Sequence, residues 1–105
     1  MELIKLEQRP GCIKTTLQII GEKWTALIIR DLSDQHQTFG NLEKNLIGIS
    51  PRTLSQRLNK LEEEDIISKV LYCEHPPRFK YALTKKGSEL KNVLMAMADW
   101  GDRYL

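Results

Sequence analysis

The segment from residue 48 to residue 67, GISPRTLSQRLNKLEEEDII, carries side chains suited to nucleic-acid recognition. Leu54, Leu58 and Leu61 recur at helical spacing and predict one buried stripe. At about 100° per residue, the opposite side of this helix holds donors and amides: Arg52, Thr53, Gln56, Asn59 and Lys60, with Arg57 on the flank. Such groups reach base edges and phosphate oxygens in a DNA major groove. We therefore predict a DNA-binding helix, although an ordinary solvated helix face has a similar polarity.

The start of this helix is marked by two residues. Ser50 is a favoured N-cap, and Pro51 fits the first helical position because its missing N–H would find no partner there. No acidic residue occurs between Gly48 and Leu61, so the start of the helix is uniformly basic or neutral. We include Ser50 among the predicted DNA-binding residues.

Three helices are predicted before this segment, and their spacing indicates the motif to which it belongs. Helical periodicity in the first 32 residues involves Ile13, Leu17, Ile20, Trp24, Leu27, Ile28 and Leu32. Gly21 is predicted to divide this stretch, since glycine weakens a helix interior. Thr38 is predicted to cap a further short helix that Gly48 ends. Two short helices joined tightly, the second polar on its outer face, match the helix-turn-helix plan.

A hairpin is predicted directly after the DNA-binding helix. Residues 66–73 and 79–83 are rich in β-branched and aromatic residues, and between them Pro76-Pro77 should form the turn because proline cannot extend a ladder. A basic hairpin at this place is a wing that can lie along the phosphate backbone. We predict that Arg78, Lys80 and Lys69 contact the backbone from it.

The last helix carries more apolar surface than one small domain needs. Thr84 is its predicted cap, and its apolar stripe consists of Leu90, Val93, Leu94, Met97 and Trp100. We predict that a second copy covers it, although packing on its own domain is the alternative. The predicted interface residues are Leu3, Ile4, Leu6, Leu94, Met97, Trp100 and Tyr104.

Composition indicates an ordinary single domain over residues 1–105. The chain is 41% hydrophobic and 29% charged, with a net charge of +2 that is concentrated on particular segments. From residue 66 to residue 91, six basic residues face two acids, which gives a near-neutral protein a basic face. No apolar run approaches the roughly 20 residues of a membrane span. The first eleven residues contain Glu2 and Glu7 and no long apolar run, which disfavours a secretory signal, so we expect a cytoplasmic protein.

With these residues placed, the chain resembles the HxlR family of bacterial winged-helix transcriptional regulators, relatives of the MarR type. The matching stretches are Leu17-x-x-Ile20-Gly21-x-Lys23-Trp24, Gly48-Ile49-Ser50 with Leu54-x-x-Arg57-Leu58-x-x-Leu61-Glu62, Pro76-Pro77-Arg78-x-x-Tyr81-x-Leu83-Thr84 with Gly87, and Trp100. The resemblance implies a homodimer on an inverted-repeat operator, with the Ser50 helix in the major groove. Three positions depart from the family pattern: Ile13 and Cys73 stand where proline is common, and Asp65 stands where glycine is common. Aspartate tolerates the left-handed conformation that the end of a helix requires, so we expect this turn to be kept.

Cys12 is a candidate sensor of oxidants or electrophiles. It lies just before the first predicted helix, between Arg9 and Lys14, and both a helix start and nearby cations favour the thiolate. Some members of the family sense such signals through the matching cysteine. The alternative is a small buried hydrophobe at the dimer interface.

Other chemistry finds little support in the sequence. Cys12, Cys73, His36 and His75 lack the close spacing of a metal site, and no catalytic constellation stands out, so we expect neither an enzyme nor a cofactor. The fold prediction is α+β, mainly α: a winged helix-turn-helix with a two-stranded wing and a C-terminal dimerisation helix. The predicted function is a homodimeric, sequence-specific DNA-binding regulator, a repressor, whose partners are double-stranded DNA and itself. The alternative is a protein-interaction module without steeply salt-dependent DNA binding.

Overall fold

The computed structural model describes residues 13–105 and confirms the mainly helical α+β architecture. The elements run α1 (Ile13–Ile20), α2 (Lys23–Leu32), β1 (Gln37–Thr38), α3 (Phe39–Asn45), α4 (Pro51–Glu63), β2 (Ile67–Glu74), β3 (Pro77–Leu83) and α5 (Lys85–Tyr104). Helices α3 and α4 form the helix-turn-helix, and the hairpin of β2 and β3 is the wing. Within these residues, no helix is long and apolar enough to cross a bilayer.

Side-chain caps fix where the helices begin. The hydroxyl oxygens of Thr38, Ser50 and Thr84 each accept a hydrogen bond, 3.1 Å long, from the backbone N–H three residues on. All three caps were predicted, and so was the break at Gly21. The cap of α2 was not predicted: the Glu22 carboxylate accepts from the Thr25 backbone N–H at 2.9 Å.

The core lies where the apolar faces of the helices meet one side of the sheet. Leu54, Leu58 and Leu61 are at most 1% exposed, which confirms the predicted buried stripe of α4. Around them lie further buried side chains in or next to α2, α3 and β2, chiefly Ile28, Ile29, Leu42, Leu46, Ile66 and Ile67. Burial of this stripe fixes the rotation of α4 and turns its polar side outward.

The sheet has three strands rather than the two of the predicted wing. Its order is β1-β3-β2, and β1 pairs Gln37 with Tyr81 in antiparallel register. The prediction that both prolines of the hairpin lie outside the ladder is wrong for Pro77, which begins β3 opposite Glu74. Proline is tolerated as the first residue of a strand, where a missing N–H breaks no ladder bond.

A tight junction connects the end of α4 to the start of α5. Asp65 ends α4 with φ of 59°, the left-handed conformation predicted for it. The Thr84 hydroxyl donates to the Asp65 carbonyl oxygen at 2.6 Å, and the Lys86 ammonium donates to the Glu64 carbonyl oxygen at 2.7 Å. Gly87 packs directly against the Ile66 carbonyl. The start of α5 is thus held against the residues that directly follow α4.

Candidate DNA-binding surface

The outward side of α4 carries a continuous polar face. Four of the predicted residues, Arg52, Gln56, Asn59 and Lys60, are exposed on it. Ser55 is exposed on the same face and was not predicted. Its position, three residues after Arg52 and four before Asn59, is the spacing of one helical face and could have identified it. The face presents hydroxyl, amide, guanidinium and ammonium groups side by side, a set able to read base edges.

The first turn of α4 uses two predicted residues for its own structure. The Ser50 hydroxyl accepts from the Thr53 backbone N–H and donates to the Thr53 hydroxyl at 2.9 Å. The Ser50 hydroxyl therefore serves as the N-cap of α4, with both of its hydrogen bonds made to Thr53. The peptide N–H groups that remain at this end carry partial positive charge, which favours a phosphate nearby.

Arg57 lies on the flank of α4 and faces α2 instead of sharing the polar face. Its Nε is 3.1 Å from Oε2 of Glu22, in ion-pair contact but outside hydrogen-bond geometry. The two side chains are 32% and 37% exposed, so solvent screens the pair and it contributes on the order of 1 kcal/mol or less. In the described part of the chain, this is the one salt bridge between different elements.

The Glu22 carboxylate is held in its charged form. Burial alone raises the pKa of Glu22, but the backbone N–H groups of Thr25 and Trp24 and the positive charge of Arg57 together outweigh burial. The pKa of this carboxyl therefore lies below its ordinary value. The same oxygen that caps α2 thus remains an anion opposite Arg57 at neutral pH.

The basic residues of the wing divide between its two faces. Arg78 and Lys80 stand two residues apart on β3 and so share one face, while Lys69 pairs with Tyr81 and lies on the other. The Lys69 ammonium sits 5.5 Å from the centroid of the Phe79 ring, and the Lys80 ammonium sits 5.2 Å from that of Tyr72. These cation–π contacts hold the lysine stems against the hairpin. One phosphate strand can therefore meet Arg78 and Lys80 together, but not Lys69 in the same way.

An apolar stripe runs along the outside of α5. Val93, Met97, Trp100 and Tyr104 follow at steps of four, three and four residues, and all are exposed, Trp100 by 57% and Tyr104 by 64%. The centroids of the Trp100 and Tyr104 rings are 5.5 Å apart, so the two rings pack against each other. Leu94, also predicted for a dimer interface, instead packs partly buried against the core of its own chain. The remaining predicted interface residues Leu3, Ile4 and Leu6, and the candidate sensor Cys12, lie outside the described residues.

The other reactive side chains do not assemble into a site. Cys73 is half-buried in β2 beside a β-bulge, with its Sγ 3.8 Å from the His75 carbonyl oxygen. Among residues 13–105, no group of three or more His, Cys, Asp or Glu side chains comes together as a metal ion would need.

The helix-turn-helix, wing and exposed polar helix define a winged-helix DNA-binding protein. The sequence model of the HxlR-like helix-turn-helix family matches residues 19–105. The chain therefore belongs to the HxlR family of winged helix-turn-helix transcriptional regulators, as its motifs predicted.

Individual relatives agree with this assignment. The helix-turn-helix transcriptional regulator YdeP of Bacillus subtilis strain 168 is 37% identical over 95 residues, which are 90% of this chain and 74% of YdeP. A MarR-family transcriptional regulator from Porphyromonas gingivalis W83 is 32% identical with a TM-score of 0.83, and the match covers 99% of this chain and 100% of that one. The oxidised form of the redox regulator HypR is 28% identical with a TM-score of 0.81, covering 89% of this chain and 96% of HypR.

Proposed function

We propose that this regulator acts as a homodimeric repressor that binds an inverted-repeat operator. The observation that carries the proposal is the exposed polar face of α4, presented on a buried leucine stripe beside a basic wing. A helix of this kind fits the major groove, and a hairpin beside it reaches the flanking backbone. A dimer seated on its operator excludes polymerase by bulk, which is why we propose repression. Increased transcription from an operator template in a purified system would instead indicate an activator.

The proposed contacts follow from where each side chain lies. Arg52, Gln56 and Asn59, in the middle of the polar face, would meet base edges. Thr53 and Lys60 at its border would meet phosphates or neighbouring bases. Arg78 and Lys80 would hold one backbone strand from the wing, with Lys69 reserved for a second contact on its other face.

A second copy of the chain is the proposed partner of the α5 stripe. Four large apolar side chains on one helix face are more than a monomer usually leaves in water. Ile13 and Leu17 on α1 are also exposed and can extend the same interface. Pairing through these helices would hold two copies of α4 at one fixed spacing, as two half-sites about 34 Å apart require.

Removing a wing cation should weaken binding to every DNA sequence alike. Replacing Arg78 or Lys80 with alanine deletes a phosphate contact. The slope of log K against log salt concentration should therefore become shallower by about 0.9 per contact. The measurement is fluorescence anisotropy with operator and random duplexes at several salt concentrations. An unchanged slope for both variants would contradict the proposed place of the wing.

Removing a reading side chain should instead change sequence preference. Gln56→Ala or Arg52→Ala should cost on the order of 1–3 kcal/mol on the operator and relax the preference at particular base pairs. Binding to a pool of randomised operators, followed by sequencing, measures both effects. Equal losses on operator and random DNA would show that α4 does not read the bases.

We also propose that Cys12 is a thiol switch. In the sequence it stands between Arg9 and Lys14, directly before α1, where nearby cations favour the thiolate. The likeness to the redox regulator HypR supports the same proposal. A mild oxidant or electrophile should modify Cys12 before Cys73 and release the operator. Cys12→Ser should keep the operator under the same treatment, and mass spectrometry locates the adduct. Wild-type binding that persists with Cys12 fully modified would exclude the switch.

A further inference from the structure

The ion pair between Arg57 and Glu22 neutralises a cation on the recognition helix. Arg57 stands roughly 100° around α4 from Gln56, close enough to the polar face to approach DNA if it turned outward. A pocket of about 90 Å³ beside the pair, lined in part by Lys60 and Glu64, leaves the guanidinium room to move. The carboxylate that faces the guanidinium is that of Glu22, whose Oε2 lies 3.1 Å from Nε of Arg57.

Stability gives little reason for this arrangement. The Nε atom of Arg57 is itself buried, but both side chains are about one-third exposed, so screening by water leaves the pair a weak contributor to folding. The cap of α2 needs only an oxygen acceptor, which a neutral amide also supplies. The negative charge of Glu22 is therefore not explained by folding alone, whereas it has a direct effect on the charge of the helix that meets DNA.

We propose that Glu22 is a specificity-determining residue, which holds Arg57 away from phosphate and so limits binding to DNA that lacks the operator. On the operator, α4 is fixed with its polar face toward the bases and the Arg57 flank toward α2. On random DNA the protein samples many poses, and a free guanidinium would gain a phosphate contact in many of them. Neutralising Arg57 therefore lowers random binding more than operator binding. The inference rests on the proposed DNA-binding function. It replaces the predicted role of Arg57 as a DNA contact with that of a side chain held away from the DNA.

Glu22→Gln should strengthen binding to random DNA. This variant keeps an oxygen to cap α2 and removes the charge opposite Arg57. We expect affinity for a scrambled duplex to rise roughly three- to tenfold at low salt, with the salt slope steeper by about 0.9, the value of one added phosphate contact. Affinity for an operator duplex, selected from a random pool by the wild type, should change by less. The ratio of operator affinity to scrambled-duplex affinity should therefore fall.

Two further variants separate this role from general charge effects. Asp34→Asn adds the same unit of positive charge near the opposite end of α2, where Asp34 is exposed, and should leave the ratio unchanged. Glu22→Gln combined with Arg57→Gln should restore the wild-type ratio, because the freed cation is gone. Arg57→Gln alone should leave the salt slope of the wild type nearly unaltered, unlike the wing variants.

The outcomes distinguish this inference from the function beneath it. A wild-type protein without salt-dependent DNA binding would remove the proposed function itself. A wild type that binds as expected, with a ratio unchanged in Glu22→Gln or changed equally in Asp34→Asn, would overturn only the role of Glu22. A parallel loss on both duplexes with a lower melting temperature would assign Glu22 to structure alone and would also overturn it.

Discussion

Replacing Met97 and Trp100 together with glutamate should convert the protein to a monomer and lower operator affinity by about a hundredfold or more. The α5 stripe is proposed to pair with its copy, and four like charges in that apolar contact would each have to be desolvated. Without pairing, each α4 binds its half-site independently, and the gain of two to four orders of magnitude from linked binding is lost.

Sedimentation velocity and operator titration on the same samples measure both effects. Met95→Glu is the matched control, since Met95 is 53% exposed on α5 but lies roughly 200° around the helix from Met97. It should remain dimeric. A wild type that sediments as a monomer at micromolar concentration would rule out this interface.

Gly87→Ala should destabilise the fold by about 3 kcal/mol and lower the melting temperature by more than about 10 °C. A Cβ atom at this position would overlap the Ile66 carbonyl oxygen, and that atom belongs to the backbone. Neither partner can easily give way, because Thr84 bonds the start of α5 to the same turn.

Gly101→Ala serves as the control for this prediction. Gly101 lies in the same helix, and an added Cβ there meets nothing within 4 Å. Alanine favours a helix over glycine by up to about 1 kcal/mol, so this variant should be neutral or more stable in thermal unfolding. Equal melting temperatures for the two variants would contradict the close packing at Gly87.

Features set by local chemistry were predictable from the sequence. The caps at Thr38, Ser50 and Thr84 and the left-handed turn at Asp65 each depend on one side chain and its neighbours, so residue type was enough. The buried stripe of α4 followed from periodicity in the same way, and the family motifs gave the order of the elements.

Features set by distant parts of the chain were not predictable. Strand β1 has only two residues, too few for a pattern, and exists because Tyr81 offers it a partner. The pairing of Arg57 with Glu22 joins residues 35 positions apart and appears only when α2 and α4 cross. Helical periodicity reports which way a side chain points but not what it contacts, so the sequence did not predict the contact of Arg57 with Glu22.

Because the end of α4 is held against the start of α5, a change in the orientation of α5 would move α4 with it. Contacts from Thr84, Lys86 and Gly87 fasten the start of α5 to residues 64–66, which directly follow α4. Helix α5 has 20 residues and so spans about 30 Å. If α5 rotated by about 10° about its C-terminal end, its start and the attached α4 would move by about 5 Å. This is more than the 3.4 Å rise of one base pair along each strand. In the proposed dimer, the spacing between the operator half-sites would therefore depend on the angle at which the two α5 helices pack against each other.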